Sequence, residues 1–302
     1  MGTPAFAVPS LEATADVCDL ALVVAQPDRP QGRGRRIERP PVAGWASAHG
    51  VDLFQPTKIR PPEVLERLAA LAPDVVVVAA YGKILPPSFL ELPRLGCVNV
   101  HASLLPRYRG AAPIQWAIAR GERETGVTLM QMEEGLDTGP ILAQRRCPIL
   151  PEDTGVQLTD RLALLGAALL RAELPRLERG ELRATRQDDA QATLAPRLTR
   201  EDGRVDWTRP ARELHDRIRA FQPWPGAVCA LPTGAPLKIL ATAVQGGTGP
   251  AGTVLAAGSA GIEVASGEGS LLLRAVQPEG GRRMTGAEFV AGHPLAPGAR
   301  LG

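Results

Sequence analysis

The sequence predicts a two-part α/β protein: a doubly wound, mostly parallel sheet first, then a smaller β-barrel or sandwich. Three observations carry this. Short apolar runs alternate with helical stretches up to residue 180, the pattern of a sheet wound with helices. The run Asp74-Val75-Val76-Val77-Val78-Ala79-Ala80 is almost wholly apolar, as in a parallel strand covered on both faces. Beyond residue 200 the chain changes to short β-like runs separated by Gly and Pro, which fits a small barrel or sandwich.

Taken in order, residues 21–25 read as a buried strand. Residues 62–71 read as a helix, because Val64, Leu65, Leu68 and Leu71 recur at helical spacing. Strands follow at 74–80 and 97–101, a short helix at 113–120 and a strand at 127–132. Residues 154–177 form a long helix with Thr154 placed to cap it. Residues 181–199 are polar and loosely patterned, so they read as a linker between domains spanning 1–180 and 200–302. In the second domain a helix over 210–221 precedes strand-like runs at 238–244, 252–255, 261–264 and 270–276.

Composition excludes several classes. With 44% hydrophobic and 22% charged residues, the chain is globular rather than disordered. No apolar run approaches the roughly 20 residues that span a bilayer, so no membrane association is expected. The N-terminus lacks a basic region followed by a long apolar core, the mark of a secretory signal. Cys18, Cys97, Cys147 and Cys229 form no C-x-x-C pair, and the histidines show no H-x-x-x-H spacing. A disulfide framework and a metal site are therefore not expected, and a reducing cytoplasm is. The net charge of +2 conceals a basic stretch: five arginines against Glu38 between Arg29 and Arg39, punctuated by Pro and Gly.

The densest chemistry lies between Asn99 and Trp116. Asn99 and His101 sit two apart at the end of an apolar strand, so both side chains share one face. Ligands of open α/β sheets bind beyond the carboxyl ends of the strands. Asp137 lies in a glycine-flanked turn between two strand-like runs, where an Asp by itself reads as a turn former. Gly32-Arg33-Gly34-Arg35-Arg36-Ile37 begins like a dinucleotide fingerprint but ends in Ile and lacks a strand-turn-helix setting.

These residues, with several other segments, resemble the methionyl-tRNA formyltransferase family over nearly the whole chain. The segments are Gly2-Thr3-Pro4-Ala5-Phe6-Ala7-Val8-Pro9, Asp28 to Gly34, Ala80-Tyr81-Gly82-Lys83-Ile84-Leu85-Pro86, His101-Ala102-Ser103-Leu104-Leu105-Pro106, Gly135-Leu136-Asp137-Thr138-Gly139, Asp206-Trp207, and Ala220-Phe221-Gln222-Pro223-Trp224-Pro225. The N-x-H…D constellation is similar to that of all 10-formyltetrahydrofolate-dependent transformylases; the basic stretch and the C-terminal part narrow the resemblance to the tRNA enzymes.

The resemblance implies a Rossmann-like formyltransferase domain and an OB-like C-terminal barrel that binds tRNA. It implies formyl transfer from 10-formyltetrahydrofolate, as co-substrate and without a metal, to the α-amine of methionyl-initiator tRNA, in the bacterial cytoplasm and by a monomer. Asn99, His101 and Asp137 are the implied catalytic residues. Ser103, Leu104, Leu105, Pro106, Ile84 and Leu85 are the implied folate contacts, and Arg33, Arg35 and Arg36 the implied tRNA contacts. Arg107 and Arg109 are left open between tRNA and the folate glutamate tail. The family carries a short apolar strand just before its Gly-Thr-Pro loop. Here Met1 directly precedes Gly2, so a central strand is expected to be missing and a start upstream of Met1 is expected.

Overall fold

The computed structural model describes residues 1–31 and 36–302. The chain divides into two compact units. Met1–Pro113, Glu124–Pro148 and Thr159–Ala195 form the first; Ile114–Arg123, Ile149–Leu158 and Pro196–Gly302 form the second.

The first unit is built on a four-stranded sheet in the order Val76–Val78, Cys97–His101, Glu124–Gln131, Ile141–Pro148. Only the first pair is parallel, with Val78 opposite Asn99; the other two pairs are antiparallel. A second parallel pair joins Val23–Val24 to Leu53–Phe54. The expected mostly parallel sheet is therefore mixed. For the last pair the reason is local: the turn between Gln131 and Ile141 is too short for a parallel crossover, which needs a dozen or more residues. Buried Val24, Ile59, Leu68, Val78, Tyr81, Leu85, Phe89 and Cys97 form a core cluster. Phe89, 2% exposed, contributes about 2–3 kcal/mol by leaving water.

Met1 and Gly2 stand between the two parallel pairs, with Gly2 bridging Ala79 in parallel. The Gly2 amide donates to Val24 O at 3.0 Å, and the Ala79 amide donates to Met1 O at 2.9 Å. The Met1 ammonium donates to Val77 O at 2.6 Å. Burial pushes that amine down to about 6, because a charge in this position has lost its water. Beside it lies a cleft of about 660 Å³ lined by Val23, Val24, Val76 and Val77 among others.

Helices open where the sequence supplies the signals. Proline stands at the start of Pro41–Ala48 and Pro62–Ala69, where its missing N–H costs nothing. Thr154 caps Gly155–Glu178 as expected: its Oγ1 accepts from the Gln157 amide at 3.3 Å, and Gln157 Oε1 accepts from the Thr154 amide at 3.0 Å. This is a capping box.

The segment 181–199 is bound into structure along much of its length. Thr185 bridges Ile141 through two 2.8 Å hydrogen bonds. Leu194–Ala195 pairs in parallel with Arg109–Gly110. Residues up to Ala195 accordingly belong to the first unit.

The second unit carries a six-stranded antiparallel sheet. Its order is Ala227–Ala230, Pro236–Gln245, Ser270–Pro278, Gly261–Ala265, Val254–Gly258, with Met284–Thr285 alongside Ser270–Pro278. Trp207, Leu214, Leu237, Ile239, Leu271, Leu273, Phe289 and Leu301 form part of its core. Among the described residues no ladder joins the first strand to the last, so the expected barrel is an antiparallel sheet without a closing strand pair. The C-terminal residues meet both edges instead. Arg300 bridges Thr253, and Gly302 exchanges hydrogen bonds of 2.7 and 2.9 Å with Ala230. Among the described residues, no helix is long and apolar enough to cross a membrane.

Candidate active site

The strand Cys97–His101 carries the site because its alternation brings Asn99 and His101 to one face. The pair does not meet water equally: His101 is 5% exposed, while Asn99 is half-buried. Asp137 arrives from the turn after Gln131, 38 residues further on from Asn99, and faces both. Its Oδ1 accepts from Asn99 Nδ2 at 3.4 Å. Its Oδ2 lies 3.6 Å from His101 Nδ1 and accepts from the Gly110 amide at 2.9 Å.

The His101 ring is oriented from its far side. Nε2 lies 2.9 Å from Tyr108 O; a carbonyl only accepts, so Nε2 carries a proton. That leaves Nδ1 as the ring atom turned toward Asp137. With a second proton there, the ring is an imidazolium paired with the carboxylate. The 3.6 Å gap exceeds an ordinary hydrogen bond, and such contacts commonly tighten only when substrate is bound.

Three backbone positions show how tightly the site is formed. Asp137 has φ 54° and Tyr108 has φ 62°, the left-handed region that non-glycine residues occupy at some cost. Gly110 has φ 122°, and a Cβ placed on it would lie 2.6 Å from Ala195 O. Only glycine lets the 109–110 strand approach the 194–195 strand and still offer its amide to Asp137.

A polar scaffold shapes the loop after His101. Ser103, fully buried, donates its hydroxyl to Arg107 O at 2.6 Å. Thr128 Oγ1 donates to Ser103 O at 2.6 Å and accepts from the Leu105 amide at 3.1 Å. Gln144 Nε2 donates to Leu105 O at 2.8 Å and Thr128 Oγ1 at 2.9 Å. Sequence reasoning missed Thr128 and Gln144. Thr128 lies opposite His101 in the sheet, and strand registry is the signal that would have found it.

The expected folate contacts fall into two groups. Leu105 and Leu85 are buried at 3% and 5%, and Leu85 belongs to the core with Phe89. Leu104 and Pro106 are half-buried, and Ile84 is 82% exposed. Arg109, left open between tRNA and the folate tail, instead turns inward: it is 7% exposed and donates to Gln187 Oε1 and Asp189 Oδ1. The expected tRNA contacts Arg33 and Arg35 lie outside the described residues, and so does the side chain of Arg36, whose backbone pairs with Gln31 in a hairpin. Among the described residues, no cluster of three or more His, Cys, Asp or Glu could hold a metal ion.

Comparison with known proteins matches this geometry to a family. A formyl transferase profile covers residues 7–174, and a formyl transferase C-terminal domain profile covers residues 197–294. A methionyl-tRNA formyltransferase from Myxococcus xanthus is 55% identical over 99% of this chain and 96% of its own length. One from Trichlorobacter lovleyi is 50% identical over 100% of this chain and 95% of its own. Among solved structures, an N-formyltransferase from Helicobacter canadensis, in complex with folinic acid and dTDP-3-aminofucose, shares the fold. Its TM-score is 0.66 at 17% identity, over 90% of this chain and 96% of that one. The chain belongs to the formyl transferase family, in the two-domain group of the methionyl-tRNA formyltransferases.

Proposed function

We propose that this protein transfers the formyl group of 10-formyltetrahydrofolate to the α-amine of methionyl-tRNA, giving N-formylmethionyl-tRNA for translation initiation. Full-length identity of about half to proteins of that name supports the reaction. The observation that carries the chemistry is the meeting of Asn99, His101 and Asp137 around a single carboxylate.

The attacking amine must be neutral, which is readily met near its usual pKa of about 7.7–8.0. Attack on the formyl carbon builds negative charge on its oxygen, and donors already in place at that oxygen each lower the barrier by about 3–4 kcal/mol in comparable sites. Asn99 has two amide N–H groups, and its bond to Asp137 uses one. Its second is the donor for the formyl oxygen. His101, oriented through Nε2 and turned by Nδ1 toward Asp137, sets a positive charge beside that oxygen when it is protonated. Asp137, paired with that ring, takes the proton that the amine releases and passes it to the leaving N10, so that the C–N10 bond breaks to give neutral tetrahydrofolate. Transfer needs no covalent enzyme intermediate, and Cys97, buried and pushed up to about 12 by desolvation, is no nucleophile.

Exposed Ile84 and half-buried Leu104 and Pro106 provide apolar surface for the pterin. Buried Ser103, Leu105 and Leu85 act on the folate by shaping backbone. Residues 1–180 are the catalytic domain, 181–199 the connecting segment and 200–302 the tRNA-binding domain. Contact of Arg300 and Gly302 with both sheet edges supports an OB-like barrel there. Arg33, Arg35 and Arg36 neutralise tRNA phosphates, which makes affinity salt-dependent. The protein acts as a monomer in the bacterial cytoplasm.

The fold is shared with an enzyme crystallised with an amino-sugar nucleotide. The deciding experiment therefore compares formyl transfer to methionyl-tRNA and to an amino-sugar nucleotide, with 10-formyltetrahydrofolate as donor in both. Transfer to the tRNA alone is expected; preference for the sugar nucleotide would overturn the assignment.

A further inference from the structure

We infer that Gln187 is a positioning residue for formyl transfer, acting through Asp137; the inference rests on the catalytic reading above. Gln187 lies in the stretch that reads from sequence as linker, yet it is 5% exposed. Both ends of its amide are engaged. Oε1 accepts from Arg109 Nε at 3.0 Å and Arg109 Nη2 at 2.8 Å. Nε2 donates to Asp137 O at 2.9 Å and Gly139 O at 2.7 Å. Arginine only donates and carbonyls only accept, so these partners fix which end of the amide is which.

Through the Arg109 guanidinium on one side and two carbonyls on the other, this side chain links the two segments that define the site. On one side is the 108–110 segment, whose Tyr108 carbonyl orients His101 and whose Gly110 amide holds Asp137 Oδ2. On the other is the turn bearing Asp137, held at φ 54°. An Asp in the left-handed region has alternatives nearby, and two hydrogen bonds from Gln187 to carbonyls at 137 and 139 select one of them. The clamp itself is anchored: the Thr185–Ile141 bridge precedes it and the Leu194–Ala195 pairing with Arg109–Gly110 follows it. Asp189 takes a further bond from Arg109 Nη2 at 2.8 Å. A buried amide with every partner satisfied specifies geometry more sharply than apolar packing does, and residues supporting catalytic ligands in this way typically matter 10–100-fold.

The test is Gln187→Glu beside Gln187→Met. The first keeps oxygens for Arg109 but turns an acceptor toward the Asp137 and Gly139 carbonyls; the second keeps length and removes both polar ends. Steady-state formyl transfer to methionyl-tRNA is measured across pH, with thermal unfolding alongside. For Gln187→Glu, with Arg109 still paired and Tm close to the parent, kcat falls about 10–100-fold. KM for both substrates stays within about threefold, and the pH profile of kcat is displaced as the His101–Asp137 pair loosens. Gln187→Met falls at least as far in kcat. The inference is overturned if either variant folds and keeps kcat within twofold, or if the whole loss lies in KM. Should Gln187→Glu fail to fold, Gln187→Met decides by the same criteria. A parent protein that does not formylate methionyl-tRNA overturns the catalytic reading instead, so the two failures are distinguishable.

Discussion

Asp137→Asn separates charge from shape at the centre of the site. The substitution changes one oxygen to NH₂ and leaves volume nearly unaltered. In the parent, Oδ2 faces Gly110 N–H at 2.9 Å and His101 Nδ1 at 3.6 Å, while Oδ1 faces Asn99 Nδ2 at 3.4 Å. Keeping the remaining oxygen on Gly110 points the new NH₂ at the Asn99 amide. Asn99 must then rotate its own oxygen inward, which costs the site a donor. The charge matters more. Once the ring is protonated, a carboxylate and an imidazolium 3.6 Å apart attract by about 4–5 kcal/mol at an effective dielectric of about 20. The transition state depends on only part of that attraction, because some is already present before reaction. A loss of about 3–4 kcal/mol corresponds to roughly 10²–10³-fold in kcat. The assay is steady-state transfer from 10-formyltetrahydrofolate to methionyl-tRNA, with unfolding followed by circular dichroism. The expected result is that loss in rate, KM within about threefold and a near-parent Tm. A folded variant within threefold of the parent kcat would refute the reasoning that Asp137 works through its charge.

Two further outcomes follow from the geometry. Gly110→Ala forces a Cβ to 2.6 Å from Ala195 O at φ 122°; it is expected to destabilise by about 2–4 kcal/mol and to reduce kcat, and an unshifted Tm would count against the close-approach argument. Leu301→Ala, at a position 3% exposed in the second core, is expected to cost about 2–4 kcal/mol and is read by calorimetry; a change under 0.5 kcal/mol would mean that the C-terminal residues do not hold the sheet.

The sequence made the periodic features legible. Cys97–His101 appears at its observed bounds because an apolar strand ending in two polar residues two apart has one economical arrangement. The Thr154 cap is equally local, since its partner Gln157 is three residues away. The helix Val8–Val17 and the strand Ala227–Ala230 escaped because their composition resembles loop: small residues in one case, four residues between Gly and Pro turns in the other.

Asp137 shows where local reading stops. In sequence it is a turn residue between glycines, and only the likeness to a family gave it a role. Its partners Asn99 and Gly110 are 38 and 27 residues away. Gln187 is a sharper case, because a glutamine in a polar stretch looks solvated. Its burial depends on Arg109, 78 residues back, and on carbonyls 50 and 48 residues back. Spacing along the chain fixed which face of a strand is polar, because side-chain direction repeats every two residues. Which distant carbonyl, guanidinium and carboxylate share that face was decided by the tertiary structure alone, since buried polar groups must find partners and folding determines which lie within reach.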